Sequence, residues 1–312
     1  MEYRLLGKTG LRVSRLCFGS LTLSPLQRNL SPEAAEELLL HAFSLGVNFI
    51  DTAQLYRNYP LLRNPCQKTP GLILASKTYA YTYEDAVAAV EEARRALNRD
   101  VIELYLLHEQ ESVHTLRGHA AALSALYDLK AKGIIRAVGL STHFVSGVDA
   151  AVAQGLDVVH PIFNKAGLGI CDGTPSDMEA ALTRACDAGM GVYLMKALGG
   201  GNLHTSAAES LSYALAFPAA HSLAVGMQTL AEVTANTHFF AHGTFEGAPA
   251  LPDNSKRSLH IDSWCERCFS CVSACQHKAL FVREADLCWN REACVFCGYC
   301  AAACNNFCIK VV

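Results

Sequence analysis

The chain has 312 residues, of which 51% are hydrophobic and 18% charged, so it can bury a large core and hold one to three domains. Its net charge of −3 and its isoelectric point near 6.4 give no electrostatic reason to expect nucleic acid or a membrane surface as a partner. No apolar run reaches the ~18 residues of a membrane span, and the N-terminus lacks the apolar core of a signal peptide. We therefore expect a cytoplasmic protein, whose clustered cysteines bind metal rather than form disulfides.

Residues 1–14 alternate polar and apolar side chains around Lys8-Thr9-Gly10, which predicts a β-hairpin. Apolar runs of strand length then alternate with helical patterns. The eight predicted strands cover residues 15–20, 47–51, 71–77, 101–108, 136–141, 158–164, 191–196 and 222–227. The predicted helices begin at Ser31-Pro32-Glu33 and cover 83–98, 115–132, 145–154, 176–188, 206–217 and 229–240.

Eight strand-then-helix units in about 240 residues predict an α/β chain with a (β/α)8 TIM barrel, its bottom closed by the leading hairpin. A doubly wound open sheet is the competing fold. It would require a GxGxxG turn after the first strand, and Gly19-Ser20-Leu21-Thr22 does not supply one. We expect the barrel to cover residues 1–243, followed by a linker over 244–262 and a small α+β domain over 263–312.

Polar side chains stand at successive predicted strand ends, where catalytic residues of such barrels lie. Strand two ends at Asp51, shortly before Tyr56, while strands three and four end at Lys77 and His108. A tyrosine hydroxyl can protonate a carbonyl oxygen, and we expect the lysine cation to lower the pKa of that hydroxyl. Asp51 would hold the lysine, and His108 would orient the substrate oxygen. Taken singly, each could equally be a loop or rim residue.

The chain resembles the aldo-keto reductases over residues 1–240. The matching stretches are 3–11, 49–56, 75–77, 102–108 and 138–141. The resemblance implies a TIM barrel that binds NAD(P)H in extended form and acts on a small carbonyl or alcohol substrate. It makes Tyr56 the general acid, with Asp51, Lys77 and His108 completing the catalytic tetrad.

The same resemblance implies a set of residues that contact the dinucleotide. They are Ser141, Asn164, Lys196, Gly199, Gly200, Gly201, Leu203, Gly226, Gln228, Glu232 and Asn236. Two positions depart from the family pattern: Thr142-His143 stands where Asn usually follows the serine, and His160 stands where Gln is usual. A basic residue for a 2′-phosphate is absent before Glu232, so NADH is at least as well supported as NADPH. The three glycines could equally form a plain flexible loop.

Ten of the fourteen cysteines lie between Cys265 and Cys308. Eight of them form two C-x2-C-x2-C-x3-C runs, a spacing that resembles the bacterial two-cluster ferredoxins. In that arrangement the fourth cysteine of each run ligates the other cluster. The implied ligands are Cys265, Cys268, Cys271 and Cys304 for one [4Fe–4S] cluster, and Cys294, Cys297, Cys300 and Cys275 for the other.

Two features of this cysteine region depart from a simple ligand pattern. Cys288 and Cys308 fall at apolar places of the repeat, so we do not choose them as ligands. Gln276 and Asn305 stand where the ferredoxins usually have proline, which could alter hydrogen bonding near the clusters. Structural zinc is the alternative occupant.

Nicotinamide transfers two electrons as hydride and a [4Fe–4S] cluster transfers one, so three functions stay open. The first is an NAD(P)H-dependent carbonyl or alcohol oxidoreductase whose clusters shape the site or connect it to a ferredoxin-type or flavoprotein partner. The second is a nicotinamide-independent reductase that receives its electrons from the clusters. A flavin could take part in that transfer, although no flavin motif is visible. The third is an electron-transfer or regulatory subunit. About twenty linker residues could span ~66 Å at ~3.3 Å each, enough for the cluster domain to reach the catalytic rim.

Overall fold

The computed structural model describes residues 1–201, 203–249, 258–304 and 308–311. Eight parallel strands close into a barrel in the order β3 to β10, with β10 pairing back to β3. These strands are β3 (Leu16–Gly19), β4 (Phe49–Asp51), β5 (Ile73–Thr78), β6 (Ile102–Leu107), β7 (Ile135–Thr142), β8 (Val158–Pro161), β9 (Gly191–Leu194) and β10 (Ser222–Gly226). All eight lie where the sequence predicts them, so the TIM barrel is confirmed and the open sheet is wrong.

Helices cover the outside of the barrel. They are α1 (Pro32–Ser44), α2 (Tyr59–Lys68), α3 (Tyr83–Leu97), α4 (Val113–Gly118), α5 (Ala120–Ala131), α6 (Val145–Gln154), α7 (Pro175–Asp187), α8 (Ala207–Ala216) and α9 (Leu230–His242). The predicted start of α1 is confirmed, because the Ser31 side chain accepts a hydrogen bond from Ala34 N. The single helix predicted over 115–132 is instead two helices, α4 and α5, which meet at His119. None of the described helices is long and apolar enough to cross a bilayer.

Helix α2 has no counterpart among the predicted helices. Its sequence carries Pro60 and Pro65, and proline argues against a helix interior. Pro60 lies in the first turn, where its missing N–H costs nothing, and the buried Leu62 and Cys66 join the main core. Tertiary burial therefore outweighs the local signal at this helix.

The N-terminal hairpin closes the bottom of the barrel, as predicted. Strands β1 (Tyr3–Leu5) and β2 (Arg12–Ser14) pair antiparallel. Between them, Lys8 N donates to the Gly189 carbonyl at 2.9 Å, next to the start of β9. Leu6 and Val13 are fully buried in the cluster of apolar side chains that fills the barrel interior.

The C-terminal region, which we call the cysteine module, forms a small unit with its own core. It contains β11 (Leu259–Ile261), α10 (Ser270–Ala274), β12 (Leu280–Arg283), β13 (Asp286–Trp289), α11 (Tyr299–Ala302) and β14 (Ile309–Val311). Strand β11 pairs antiparallel with β14, and β12 with β13. Because β11 lies inside the predicted linker over 244–262, the last part of that stretch is strand. Residues 250–257 of the linker, like Asn202 and Asn305, lie outside the described residues.

The backbone of the cysteine module repeats with the same offset as its cysteines. Phe269 and Gly298, at equivalent places before the two short helices, both have positive φ, of 59° and 84°. Ala279 N donates to Cys275 Sγ at 3.3 Å, and at the equivalent place Cys308 N donates to Cys304 Sγ at 3.2 Å. The duplicated sequence therefore gives a duplicated backbone.

Replacement of Gly139 by alanine should destabilise the barrel. A Cβ on Gly139 in β7 would lie 2.2 Å from the Val158 carbonyl oxygen of β8, so the two strands would have to move apart. We expect the free energy of unfolding in urea to fall by about 1–3 kcal/mol. Gly118→Ala is the matched control, because a Cβ there would meet nothing within 4 Å. Equal stability of the two variants would contradict the steric argument.

Candidate active site

A buried ion pair lies at the C-terminal mouth of the barrel. Asp51 ends β4, and Lys77, which is 1% exposed, lies in the neighbouring strand β5. The Lys77 ammonium donates to Asp51 Oδ1 at 2.7 Å and to the Thr52 carbonyl at 2.8 Å. The Tyr193 hydroxyl donates to Asp51 Oδ2 at 2.9 Å. Buried charges are costly unless they are paired and hydrogen-bonded, and both conditions are met here.

Tyr56 stands beside this pair, at the end of the short 3-10 turn Gln54–Tyr56 that follows β4. The Lys77 ammonium lies over the face of its ring, 5.0 Å from the centroid. No hydrogen bond joins the Tyr56 hydroxyl to another described residue. The hydroxyl is therefore available to an oxygen atom of a ligand.

The pKa of Tyr56 is raised well above its usual value, chiefly because burial disfavours the phenolate and then because Asp51 is close. The expectation that the pKa of Tyr56 falls toward neutrality is therefore wrong, because burial and the Asp51 charge outweigh the effect of the Lys77 cation. The Lys77 donors point to Asp51 and the backbone rather than to the phenol oxygen, and Asp51 balances the lysine charge. Tyr56 keeps its proton at neutral pH, which is the state that a proton donor needs.

His108, directly after β6, completes the predicted group of four. Its ring stacks on Tyr79 with centroids 4.4 Å apart and meets the Tyr56 ring edge-on at 5.9 Å. Burial and then the Lys77 charge lower the pKa of His108 to about 2, so the imidazole is neutral. Its Nδ1 is buried and, among the described residues, has no hydrogen-bond partner. A neutral imidazole here can donate one hydrogen bond to a ligand oxygen.

Two further residues support the ion pair from below. His160, at the end of β8, stacks on Tyr193 with centroids 3.9 Å apart, and its Nε2 lies 3.9 Å from Asp51 Oδ2. Sequence reasoning did not select Tyr193. The strand alternation does place Tyr193 on the interior face of β9, so a signal was present. It could not reveal that the hydroxyl reaches across the barrel to Asp51.

The residues implied to hold the nicotinamide amide are engaged within the protein. The Ser141 hydroxyl, at the end of β7, accepts a hydrogen bond from Glu109 N at 2.9 Å. The Asn164 side chain donates to the Leu168 carbonyl and accepts from Leu168 N, both at 2.9 Å. Ser141 and Asn164 are both buried, so they hold the loops of the rim together.

The residues implied to hold the pyrophosphate lie after β9 and β10. Gly199, Gly200 and Gly201 all have positive φ; Leu168 and Leu203 pack against Gly199, Val295 packs against Gly201, and a Cβ on Gly200 would meet nothing within 4 Å. Gly226, Gln228, Glu232 and Asn236 continue this region at the end of β10 and the start of α9. The Glu232 carboxylate accepts from Gln228 N at 2.7 Å, and Asn236 donates to the Glu232 carbonyl at 2.8 Å. The Glu232 and Asn236 side chains thus hydrogen-bond to the backbone at and just before the start of α9.

The cysteine module contacts the catalytic end of the barrel on both sides of β10. On the β9 side, His277 hydrogen-bonds the Gly200 backbone, and a Cβ on Gly201 would lie 3.1 Å from Val295. On the β3 side, a Cβ on Gly298 would lie 3.2 Å from the Gln27 carbonyl oxygen. These contacts bring the module next to the rim that holds Tyr56, and Tyr299 of α11 is close enough to raise the pKa of Tyr56 further.

The thiols of the module lie in two groups. A small cavity is lined by four of them together with apolar neighbours: Cys275, Cys294, Cys297 and Cys300. Burial raises the pKa of Cys271, and the thiols close enough to raise it further are Cys265, Cys304 and Cys268. Each group takes one cysteine from the other run. As placed, no group of three or more His, Cys, Asp or Glu side chains in the described part of the chain could hold a single metal ion.

The stability of the barrel should depend on pH through His160. Burial lowers the pKa of His160 to about 4, against about 6.5 in an unfolded chain. The neutral His160 ring therefore contributes fully to the free energy of unfolding above pH 6.5. As the pH falls toward 4 the unfolded chain binds a proton that the folded chain does not, and this contribution is lost at about 1.4 kcal/mol per pH unit. We expect His160→Gln to reduce the slope of unfolding free energy between pH 6.5 and 5 by about that amount, measured by urea titration. An unchanged slope would show that His160 titrates normally.

Comparison with known proteins agrees with this barrel. The model of the Aldo/keto reductase family matches residues 15–210. Aldo-keto reductase YhdN of Bacillus subtilis is 27% identical over 183 residues, which cover 53% of this chain and 54% of that protein. L-galactose dehydrogenase of Arabidopsis thaliana is 26% identical over 157 residues, covering 45% and 48%. The chain thus spans about half the length of these curated relatives.

A solved structure gives the same fold over a larger share of the chain. The holo form of an aldo-keto reductase from Bacillus halodurans superimposes with a TM-score of 0.67 at 21% identity, covering 78% of this chain and 92% of that one. At this identity the likeness speaks for the fold alone. The match to the family model, which spans more than half of the sequence, carries the assignment: the chain belongs to the aldo/keto reductase family.

Proposed function

We propose that this chain reduces the carbonyl group of a small molecule, with Tyr56 as the proton donor, and that the cysteine module carries two [4Fe–4S] clusters. One observation carries the first part. The Tyr56 hydroxyl makes no hydrogen bond to a described residue, while its ring lies between the Lys77 ammonium and the neutral His108 imidazole at the barrel mouth. Membership of the family supports an oxidoreductase.

The tetrad roles follow from charge and geometry. A substrate carbonyl oxygen accepts hydrogen bonds from Tyr56 and His108, which fixes its position. Two electrons and one proton arrive at the carbon, and the Tyr56 proton goes to the oxygen to give the alcohol. The Lys77 ammonium, 5.0 Å from the ring, stabilises the phenolate that remains, and Asp51 holds the ammonium in place.

NAD(P)H is the first candidate for the reductant, and it would supply the two electrons as hydride. The turn through Gly199, Gly200 and Gly201 fits a dinucleotide at Gly200, where the lack of a Cβ and the open space within 4 Å allow close approach of a pyrophosphate. Gly226 lies at the next strand end. Ser141 and Asn164 fit the nicotinamide amide less directly, since their side chains already serve the loops.

Delivery of electrons through the cysteine module is the second candidate. The module touches Gly200 and Gly201, where the dinucleotide would pass, and presents Tyr299 toward Tyr56. Reduction would then take two single electrons and two protons, one of them from Tyr56. A ferredoxin-type or flavoprotein partner would resupply the module.

The two groups of thiols support the cluster assignment. Each group crosses the two sequence runs in the way that the two-cluster ferredoxins do. The hydrogen bonds from Ala279 N to Cys275 and from Cys308 N to Cys304 are of the kind that stabilises cluster-bound sulfur. A cubane of four irons spaces its thiolates more widely than a single ion does, which fits thiols that are grouped without meeting at one point. Residues 1–243 are then the catalytic domain and 263–312 the electron-carrying domain.

Tyr56→Phe should lower carbonyl reduction by about 10²–10⁴-fold, because the substrate oxygen loses its proton donor. The measurement is anaerobic reduction of an aldehyde panel with NADH, with NADPH, and with a chemically reduced ferredoxin. Tyr81→Phe is the matched control, since Tyr81 is 63% exposed and is not a member of the tetrad. Unchanged turnover in Tyr56→Phe would instead favour an electron-transfer or regulatory subunit.

The three reductants separate the two candidates. Turnover with NADH or NADPH, and bleaching of the cluster absorbance on their addition, supports a nicotinamide-dependent enzyme coupled to its clusters. Turnover with reduced ferredoxin alone supports delivery through the module. Turnover with none of them contradicts carbonyl reduction for this panel.

The crossed assignment of ligands predicts which cysteines act together. Anaerobically isolated protein should contain about eight iron atoms per chain. Cys275→Ser and Cys297→Ser should each perturb the same electron paramagnetic resonance signal, because both belong to one group, while Cys304→Ser should perturb the other. Cys288→Ser, which removes a thiol outside both groups, is the control. Zinc in place of iron, or pairing of Cys275 with Cys265 and Cys268, would contradict the assignment.

A further inference from the structure

Lys196 and His143 meet across the mouth of the barrel. Lys196 lies just after β9, and His143 lies just after β7. The Lys196 Nζ is 3.1 Å from His143 Nε2. Strand β8 lies between β7 and β9, so this contact spans the end of β8. It directs the ammonium toward the end of β7, on the side of β9 opposite β10.

The protonation states of the two groups follow from this geometry. An ammonium can only donate, so His143 Nε2 must be the acceptor, and the imidazole is neutral. Burial and then the Lys196 charge lower the pKa of His143 to about 4, which agrees with a neutral ring at pH 7. The contact uses one of the three N–H donors of Lys196. The other two donors are available.

The charge of Lys196 is not balanced by an ion pair among the described residues. Lys68, Lys77, Lys130 and Lys165 each reach a carboxylate at 2.5–2.7 Å. Lys196 has a neutral imidazole instead, although its side chain is partly buried. The carboxylate of Glu109 is near enough to influence it but accepts a hydrogen bond from Tyr79 instead of forming a salt bridge with Lys196. A partly buried cation without a direct ion pair can therefore gain from a ligand that brings a carboxylate into contact with it.

The backbone at Lys196 is also unusual. Its φ of 57° is in the left-handed region, which non-glycine residues rarely adopt. The Gly199 N–H donates to the Lys196 carbonyl at 2.8 Å and holds this turn. Strained rim residues of this kind persist where the surroundings enforce a functional position.

The pair lies next to the reacting groups. Both Lys196 and His143 are near enough to act on the charge state of His108, whose ring faces Tyr56. His108 is 5% exposed and, among the described residues, its Nδ1 has no hydrogen-bond partner, so polar groups at this end of the barrel remain available. An anionic group held by Lys196 would therefore belong to the molecule whose carbonyl lies at Tyr56 and His108.

We propose that Lys196 and His143 form a subsite for a carboxylate carried by the substrate. Two free Lys196 donors bind the carboxylate oxygens, and His143 fixes the direction of the ammonium. A cofactor phosphate is the other possible source of negative charge. It is disfavoured because the Lys196 ammonium reaches toward the end of β7, whereas the second strand end implied to hold the cofactor phosphates is that of β10. The substrate class is thus an oxo acid or an aldehyde acid, a conclusion that rests on the proposed carbonyl reduction.

The test compares two substrates of nearly the same shape, the anionic 4-carboxybenzaldehyde and the neutral 4-carbamoylbenzaldehyde, on the full chain isolated anaerobically. Lys196→Met should lower the ratio of kcat/KM for the carboxylate substrate to kcat/KM for the carbamoyl substrate by about tenfold or more. Lys196→Arg, which keeps the charge, should retain a preference for the carboxylate. Lys165→Met is the matched control, because Lys165 is on the same rim but pairs with Glu209.

A second readout does not require turnover. Acetate and benzoate are titrated by calorimetry into the wild type and the variants, with NADH and ADP-ribose as separate arms. Loss of acetate or benzoate binding in Lys196→Met supports the subsite even if no aldehyde is reduced, a result that would contradict the proposed function alone. Loss of ADP-ribose binding with carboxylate binding intact would overturn the proposal in favour of a cofactor phosphate. No carboxylate binding to the wild type, or equal affinities in wild type and Lys196→Met, would also overturn it.

Discussion

The ammonium of Lys77 is the charge around which the barrel mouth is built. It is almost fully buried, so the strand ends around it must supply acceptors, and Asp51 and the Thr52 carbonyl do so. Asp51 in turn needs donors for its second oxygen, which the Tyr193 hydroxyl supplies from the far side of the barrel. Satisfying one buried charge therefore positions side chains from β4, β5 and β9. Tyr56, with a protonated hydroxyl, lies beside this ion pair.

Three neutral imidazoles lie elsewhere at the mouth of the barrel. His108, His143 and His160 all have lowered pKa values, in each case chiefly because of burial, so they act as neutral hydrogen-bonding groups at pH 7. Lys77 has its carboxylate, whereas Lys196 has only an imidazole. This asymmetry distinguishes a charge that organises the site from a charge that remains available to a ligand.

The cysteine module brings two groups of thiols to the barrel, and its position matters as much as its thiols. It lies over β10, with contacts to Gly200 and Gly201 on one side and to Gln27 on the other. A reductant bound along the end of β10 and electrons arriving through the module would use the same region of the rim. The two proposed routes of reduction differ in whether this region would hold a dinucleotide or would pass electrons from the module.

The sequence by itself determined the eight strands, the capped start of α1, the closing hairpin and the two cysteine runs. These features depend on local periodicity, capping chemistry and fixed spacing, all of which are readable along the chain. It also located Asp51, Tyr56, Lys77 and His108, because parallel strand ends converge at one rim. Tertiary structure alone decided that Tyr193 reaches Asp51 and that Lys196 meets His143. It also decided that burial and Asp51 outweigh the lysine cation and raise the pKa of Tyr56. Such outcomes depend on packing between residues far apart in sequence, and no local pattern encodes the distance or the solvent exclusion that produces them.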